Sequence, residues 1–105
     1  MSESERKFHD IASQIPDAKL GKVFGALCIK SGKKTAAILW ENDVLFKLDT
    51  NDQKEALSLN GSNVSSHLYA EDKPMNGWVT IPFNHAEKWQ YFAEKAVKYV
   101  KSLIN

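Results

Sequence analysis

The chain predicts an α+β fold in which helices pack on an antiparallel sheet. Three observations carry that expectation. Apolar, β-branched and aromatic runs at residues 22–30, 35–40 and 44–48 are joined by short turns. Capping-box spacings precede short helical stripes on either side of them. A long amphipathic stretch closes the sequence.

Taken in order, Ser2 and Glu5 have capping-box spacing, and Phe8, Ile11, Ala12 and Ile15 recur at helical intervals until Pro16. The first helix is therefore expected to run to about residue 14. A loop over 16–20 leads to residues 22–30, read as one strand, and Ser31-Gly32-Lys33-Lys34 turns the chain. Residues 35–40 are almost continuously apolar, as suits a central strand. Asn42-Asp43 supplies a tight turn, after which Val44, Phe46 and Leu48 alternate with Leu45, Lys47 and Asp49. Short connections make these three strands an antiparallel meander.

Thr50 and Gln53 repeat the capping spacing, and Ala56, Leu57 and Leu59 give a short stripe that ends near Asn60-Gly61. Residues 65–70 read as a weak strand and 78–81 as a stronger one, with the polar, proline-containing stretch 71–77 as the loop of a wide hairpin. Asn84 and Glu87 are expected to cap the last helix. Its stripe of Trp89, Phe92, Ala93, Ala96, Tyr99, Val100 and Leu103 must cover the sheet.

Composition bounds the function classes. A chain of 105 residues, 43% hydrophobic and 26% charged, is one domain over 1–105 with enough apolar mass for a core. A net charge of +1 provides no global field toward nucleic acid or an anionic membrane. Arg6 is the sole arginine, which weighs against sequence-specific reading of DNA. The single cysteine, Cys28, has no partner for an internal disulfide, and Met1 to Glu5 offer no signal-like apolar stretch, so a cytoplasmic location is expected. No apolar run reaches the roughly 18 to 20 residues that span a bilayer.

Three short motifs give a family resemblance. Gly21-Lys22-Val23-Phe24-Gly25-Ala26 is similar to a Met-Phe-Gly-Gly opening strand, with Val23 and Ala26 departing from it. Val44-Leu45-Phe46-Lys47-Leu48-Asp49 is similar to a strand that ends in lysine and then an acidic residue. Lys73-Pro74-Met75 before Trp78 is similar to a Lys-Pro-Met loop that leads into an aromatic strand. From Gly21 to about Val100 the chain resembles the TfoX N-terminal domain family, named for a bacterial regulator of natural competence. The resemblance implies an α-β(3)-α-β(2)-α, secretion-chaperone-like arrangement in a stand-alone domain, without the regulator's second, C-terminal domain.

Within those motifs, Lys22, Lys47 and Lys73 would form a cationic site for a carboxylate or phosphate if the sheet gathered them, with Phe24, Gly25 and Met75 beside them. Solvated surface lysines are the plainer reading. Lys88, Lys95, Lys98 and Lys101 on the last helix would track a nucleic-acid backbone, or simply complement the helix dipole and keep the surface charged. His9, His67 and His85 lack metal-ligand spacing, so no metal or cofactor is expected. Cys28 reads as a buried structural thiol. Trp40, Trp78 and Trp89 read as core or sheet-covering residues, one of which could anchor a homodimer. No paired acid and base stands out, so catalysis is not expected. The expectation is a non-catalytic regulatory or protein-binding module that self-associates, the alternatives being a small anionic-ligand binder and a nucleic-acid accessory protein.

Overall fold

A computed structural model describes residues 2–67 and 70–103, with side chains described for all of these except 66, 67 and 70–74. Helix α1 (Glu3–Gln14) opens as its capping box requires: Ser2 Oγ accepts the Glu5 N–H at 3.1 Å and its hydroxyl donates to Glu5 Oε1 at 3.2 Å. Strands β1 (Lys19–Val23), β2 (Ala26–Ser31), β3 (Lys34–Trp40) and β4 (Asp43–Lys47) follow. Helix α2 (Thr50–Leu57), strands β5 (Asn63–His67) and β6 (Ala70–Ile81), a 3₁₀ turn (Phe83–Lys88) and helix α3 (Trp89–Ser102) complete the chain. The six strands form one sheet in the order β1-β2-β3-β4-β6-β5, every neighbouring pair antiparallel. The α+β class with an antiparallel sheet is thus the observed one.

The expected α-β(3)-α-β(2)-α order needs correction by one strand. Residues 22–30 do not form a single strand, because Phe24 and Gly25 take φ of 52° and 78° and reverse the chain in a two-residue turn. The order is therefore α-β(4)-α-β(2)-α. A non-glycine residue in the left-handed region is uncommon, and a bulky phenylalanine there gives no sequence signal of a turn.

Three boundaries also move. Asp49, one residue before Thr50, caps α2 by accepting the Asp52 N–H at 2.8 Å, while Gln53 Nε2 donates to the Leu48 carbonyl. Residues 71–77 belong to β6 rather than to a wide loop, since His67 pairs with Ala70. Pro74 fits that strand because β6 pairs with β4 only from Trp78 to Ile81, leaving one edge without ladder bonds at residue 74. The last helix has no side-chain cap from Asn84; the 3₁₀ turn follows Pro82 and α3 starts at Trp89.

All three helices bury their apolar stripes against one face of the sheet. Phe8, Ile11, Ala12 and Ile15 from α1, Ala56 from α2, and Trp89, Phe92, Ala93, Ala96, Val97 and Val100 from α3 share a core with Ile29, Leu39, Val44, Phe46, Val79 and Ile81. Fully burying an apolar side chain of this size stabilises the fold by roughly 1.5–3 kcal/mol, so this layer dominates the energetics. Edge-to-face contacts of Phe83 with Trp89 and of Tyr91 with Phe92 add directionality to it. Ser4 Oγ donates to Asn42 Oδ1 at 3.1 Å, fastening the start of α1 to the β3–β4 turn. No helix among the described residues is long and apolar enough to cross a membrane.

Candidate binding face of the sheet

Alternation along the strands gives the sheet a second face, and it is not bare. Ala26, Cys28, Ile38 and Leu45 form a separate buried cluster, with Val23, Trp40, Met75 and Trp78 packed partly exposed around it. All eight residues lie in strands β1, β2, β3, β4 and β6, and none comes from a helix. The two faces therefore differ in kind: one is sealed by helices, and the other carries two tryptophans and a methionine at its surface.

The register orders this helix-free face into rows. Gly21 stands opposite Cys28, Cys28 opposite Ile38, Ile38 opposite Leu45, and Leu45 opposite Thr80, giving a neutral middle row. One step toward the β2–β3 turn, Lys19 stands opposite Lys30, Lys30 opposite Thr35, and Lys47 opposite Trp78. One step the other way, Val23 stands opposite Ala26 and Trp40 opposite Asp43, with Glu41 in the turn beyond. The Lys30 stem lies along this surface, since a Cβ on Gly21 would fall 3.4 Å from its Cε and 3.8 Å from Cys28 Sγ. Likewise the Lys47 ammonium reaches over Gly77, whose added Cβ would come within 3.4 Å of Nζ.

The lysine site expected from the motifs does not assemble. Lys22 stands opposite Leu27, whose side chain packs with the helix-side core, so Lys22 is on the helix side, whereas Lys47 is on the other face with Trp78. The physical reason is the period of two: Lys22 is one residue out of phase with Gly21 and Val23. The side chain of Lys73 lies outside the described residues. Met75 does join Lys47 on the helix-free face, and Phe24-Gly25 forms the β1–β2 turn. The residues the motifs missed are Lys19 and Lys30, whose position beside Lys47 follows from strand register and from no sequence pattern.

Lys22 and Gly25 instead border a cavity of about 550 Å³ at the turn end of the strands, together with Glu5, His9, Trp40 and Glu41. Two carboxylates, Glu5 and Glu41, share its lining with Lys22, which does not favour an anion.

On α3 the four candidate lysines alternate with acidic groups. Lys101 Nζ donates to Asp17 at 2.6 Å, and Lys95 lies 3.9 Å from Asp52 and 5.2 Å from the Tyr91 ring centre. Tyr91 donates its hydroxyl to Glu55 at 3.0 Å. Lys88 borders a groove with Glu55 and Glu87, and Lys98 borders one with Glu94. Such a surface offers no continuous positive track of the kind a phosphate backbone follows.

The remaining candidates are structural. Burial pushes the Cys28 thiol above its ordinary value of 9.0, outweighing the opposing pull of Lys30 and of the Gly21 N–H. His85 Nε2 is 2.6 Å from the Asn60 carbonyl, tying the 3₁₀ turn to the end of the α2 connection. Among the described residues no group of three His, Cys, Asp or Glu side chains is placed to hold a metal ion. Trp89 is fully buried, and Trp40 and Trp78 are the two tryptophans at the helix-free surface. No protein-family model and no curated protein matches this chain.

Proposed function

We propose that this chain is a non-catalytic, protein-binding module of the TfoX N-terminal type, and that it engages its partner through the helix-free face of the sheet. One observation supports the reading above the others: the strand-only cluster that presents Val23, Trp40, Met75 and Trp78 at a surface no helix covers. Tryptophan and methionine are the side chains that binding surfaces favour, because they bring large or adaptable apolar area at modest entropic cost. The alternation of acids and lysines on α3 weighs against the nucleic-acid reading, and the separation of Lys22 from Lys47 against the anion site first expected.

Affinity capture from nuclease-treated lysate with the wild type and with Met75→Glu tests this reading. The wild type is expected to retain a stoichiometric protein that Met75→Glu, still folded by circular dichroism, loses. Equal capture by both proteins would place the binding surface elsewhere.

A further inference from the structure

We infer that the occupant of the helix-free face is a second copy of this chain, stacked face to face about a two-fold axis that runs across the strands. The inference rests on the binding-module reading and names its partner. Its ground is the way charge is laid out along the strand direction. Lys19 and Lys30 pair across β1 and β2, and Lys47 pairs with Trp78 at the same end of the sheet, past a bulge between Ile29 and Lys30; Thr35 and Trp78, their other described partners, carry no acidic group. Two rows away, four residues along β4 and past the neutral row of Cys28, Ile38 and Leu45, stands Asp43, with Glu41 in the adjoining turn. Among the described side chains the face thus carries lysines at one end and Asp43 at the other, on either side of a buried neutral row.

Such a face is complementary to itself in one orientation only. A half-turn about an axis along the strands would set lysine row on lysine row, which like-charge repulsion opposes. A half-turn about an axis across the strands keeps β4 over β4 but exchanges the ends. Lys47 of each copy then approaches Asp43 of the other, and a two-fold interface makes that contact twice. Packed sheets are rotated by about 30° from parallel, an offset that the long lysine stem can follow. Trp78 beside Lys47, and Val23 and Trp40 in the Asp43 row, would together with Met75 exchange water for the surface of the second copy.

The isolated chain carries a like-charge cost at the lysine end of the face. Lys19 and Lys30 are direct cross-strand partners, and like charges placed opposite one another destabilise a sheet. Asp43 and Glu41 of a second copy bring negative charge to that end of the face.

Sedimentation velocity of the purified protein across the micromolar to millimolar range tests the inference, with circular dichroism on every variant. The wild type is expected to show a concentration-dependent monomer–dimer equilibrium. Lys47→Asp and Asp43→Lys, singly, should each weaken it by about tenfold or more, and the combined exchange should restore it. A carbodiimide, which joins a carboxylate directly to an amine with loss of water, gives a reading that needs no folded variant. It should link Asp43 to Lys47 between isotopically distinct copies, because within one chain these residues lie about 13 Å apart along the strand, beyond the reach of both side chains. A wild type that stays monomeric overturns the second-copy inference while leaving the capture experiment to decide the binding reading separately. A dimer that neither single exchange weakens, or that the combined exchange fails to restore, overturns the proposed face and orientation.

Discussion

The indole N–H of Trp89 donates to the carbonyl oxygen of Ile81 at 3.1 Å from a ring with no exposed surface. This bond joins the first residue of α3 to the last residue of β6, and so sets where the helix layer meets the sheet. Trp89→Phe would keep most of the ring volume but remove the donor. A loss of about 1–3 kcal/mol is expected, read as a lower midpoint in urea unfolding. An unchanged midpoint would mean that the bond contributes nothing net.

Much of this layer was legible before the structure. The Ser2 and Glu5 spacing caps α1 as read, and the alternation of Val44, Phe46 and Leu48 and the stripe through Phe92, Ala96 and Val100 bury where their periods indicated. What was not legible depends on phase or on unusual backbone. Phe24 in a left-handed turn hid the first hairpin, and polar residues around Pro74 hid a strand that is paired on only one side there. Whether two lysines on different strands share a face depends on register, which the sequence does not state. Lys22 and Lys47 therefore sit in similar motifs yet lie on opposite faces, whereas Lys19 and Lys30 belong to no motif that marks them.

Phe24→Asn is expected to stabilise the fold. A two-residue turn with both φ values positive prefers Asn-Gly, and a bulky L-residue in the left-handed region is held at a cost of roughly 1–2 kcal/mol. Part of that gain is offset by the contacts Phe24 makes. A rise of about 0.5–1 kcal/mol in unfolding free energy is the expected outcome; a decrease would show that the ring contributes more than the turn loses.

Burial and the neighbouring carboxylate of Asp49 push the Asp52 carboxyl above its ordinary range, against the pull of Lys95. Because the folded-state value is the higher one, the associated stability is fully present below the unfolded value and is lost as pH rises through the folded value. Asp52→Asn should therefore flatten the loss of stability across the acidic range, since the amide cannot ionise. Thermal melts of both proteins over a pH series give the measurement; parallel curves would remove Asp52 from the account.

Cys28 makes the same argument at the alkaline end. Its raised folded value means that stability is whole below the unfolded thiol range and falls as pH climbs past 9.0 toward the folded value. Cys28→Ala should abolish that part of the alkaline loss. In the native wild type a thiol reagent should modify Cys28 only as fast as the sheet opens, with full reaction in denaturant; fast labelling of folded protein would show that the cluster around it is open.

The most direct measurement of which face binds is hydroxyl-radical footprinting, dilute and then with the partner or at high protein concentration. It reads side-chain accessibility at aromatic, methionine and leucine positions on both faces in one experiment. Protection should fall on Trp40, Met75 and Trp78, while the exposed helix-layer side chains Leu57 and Tyr91 keep their labelling. Protection of Leu57 and Tyr91, with Trp40, Met75 and Trp78 unchanged, would contradict the assignment of the helix-free face.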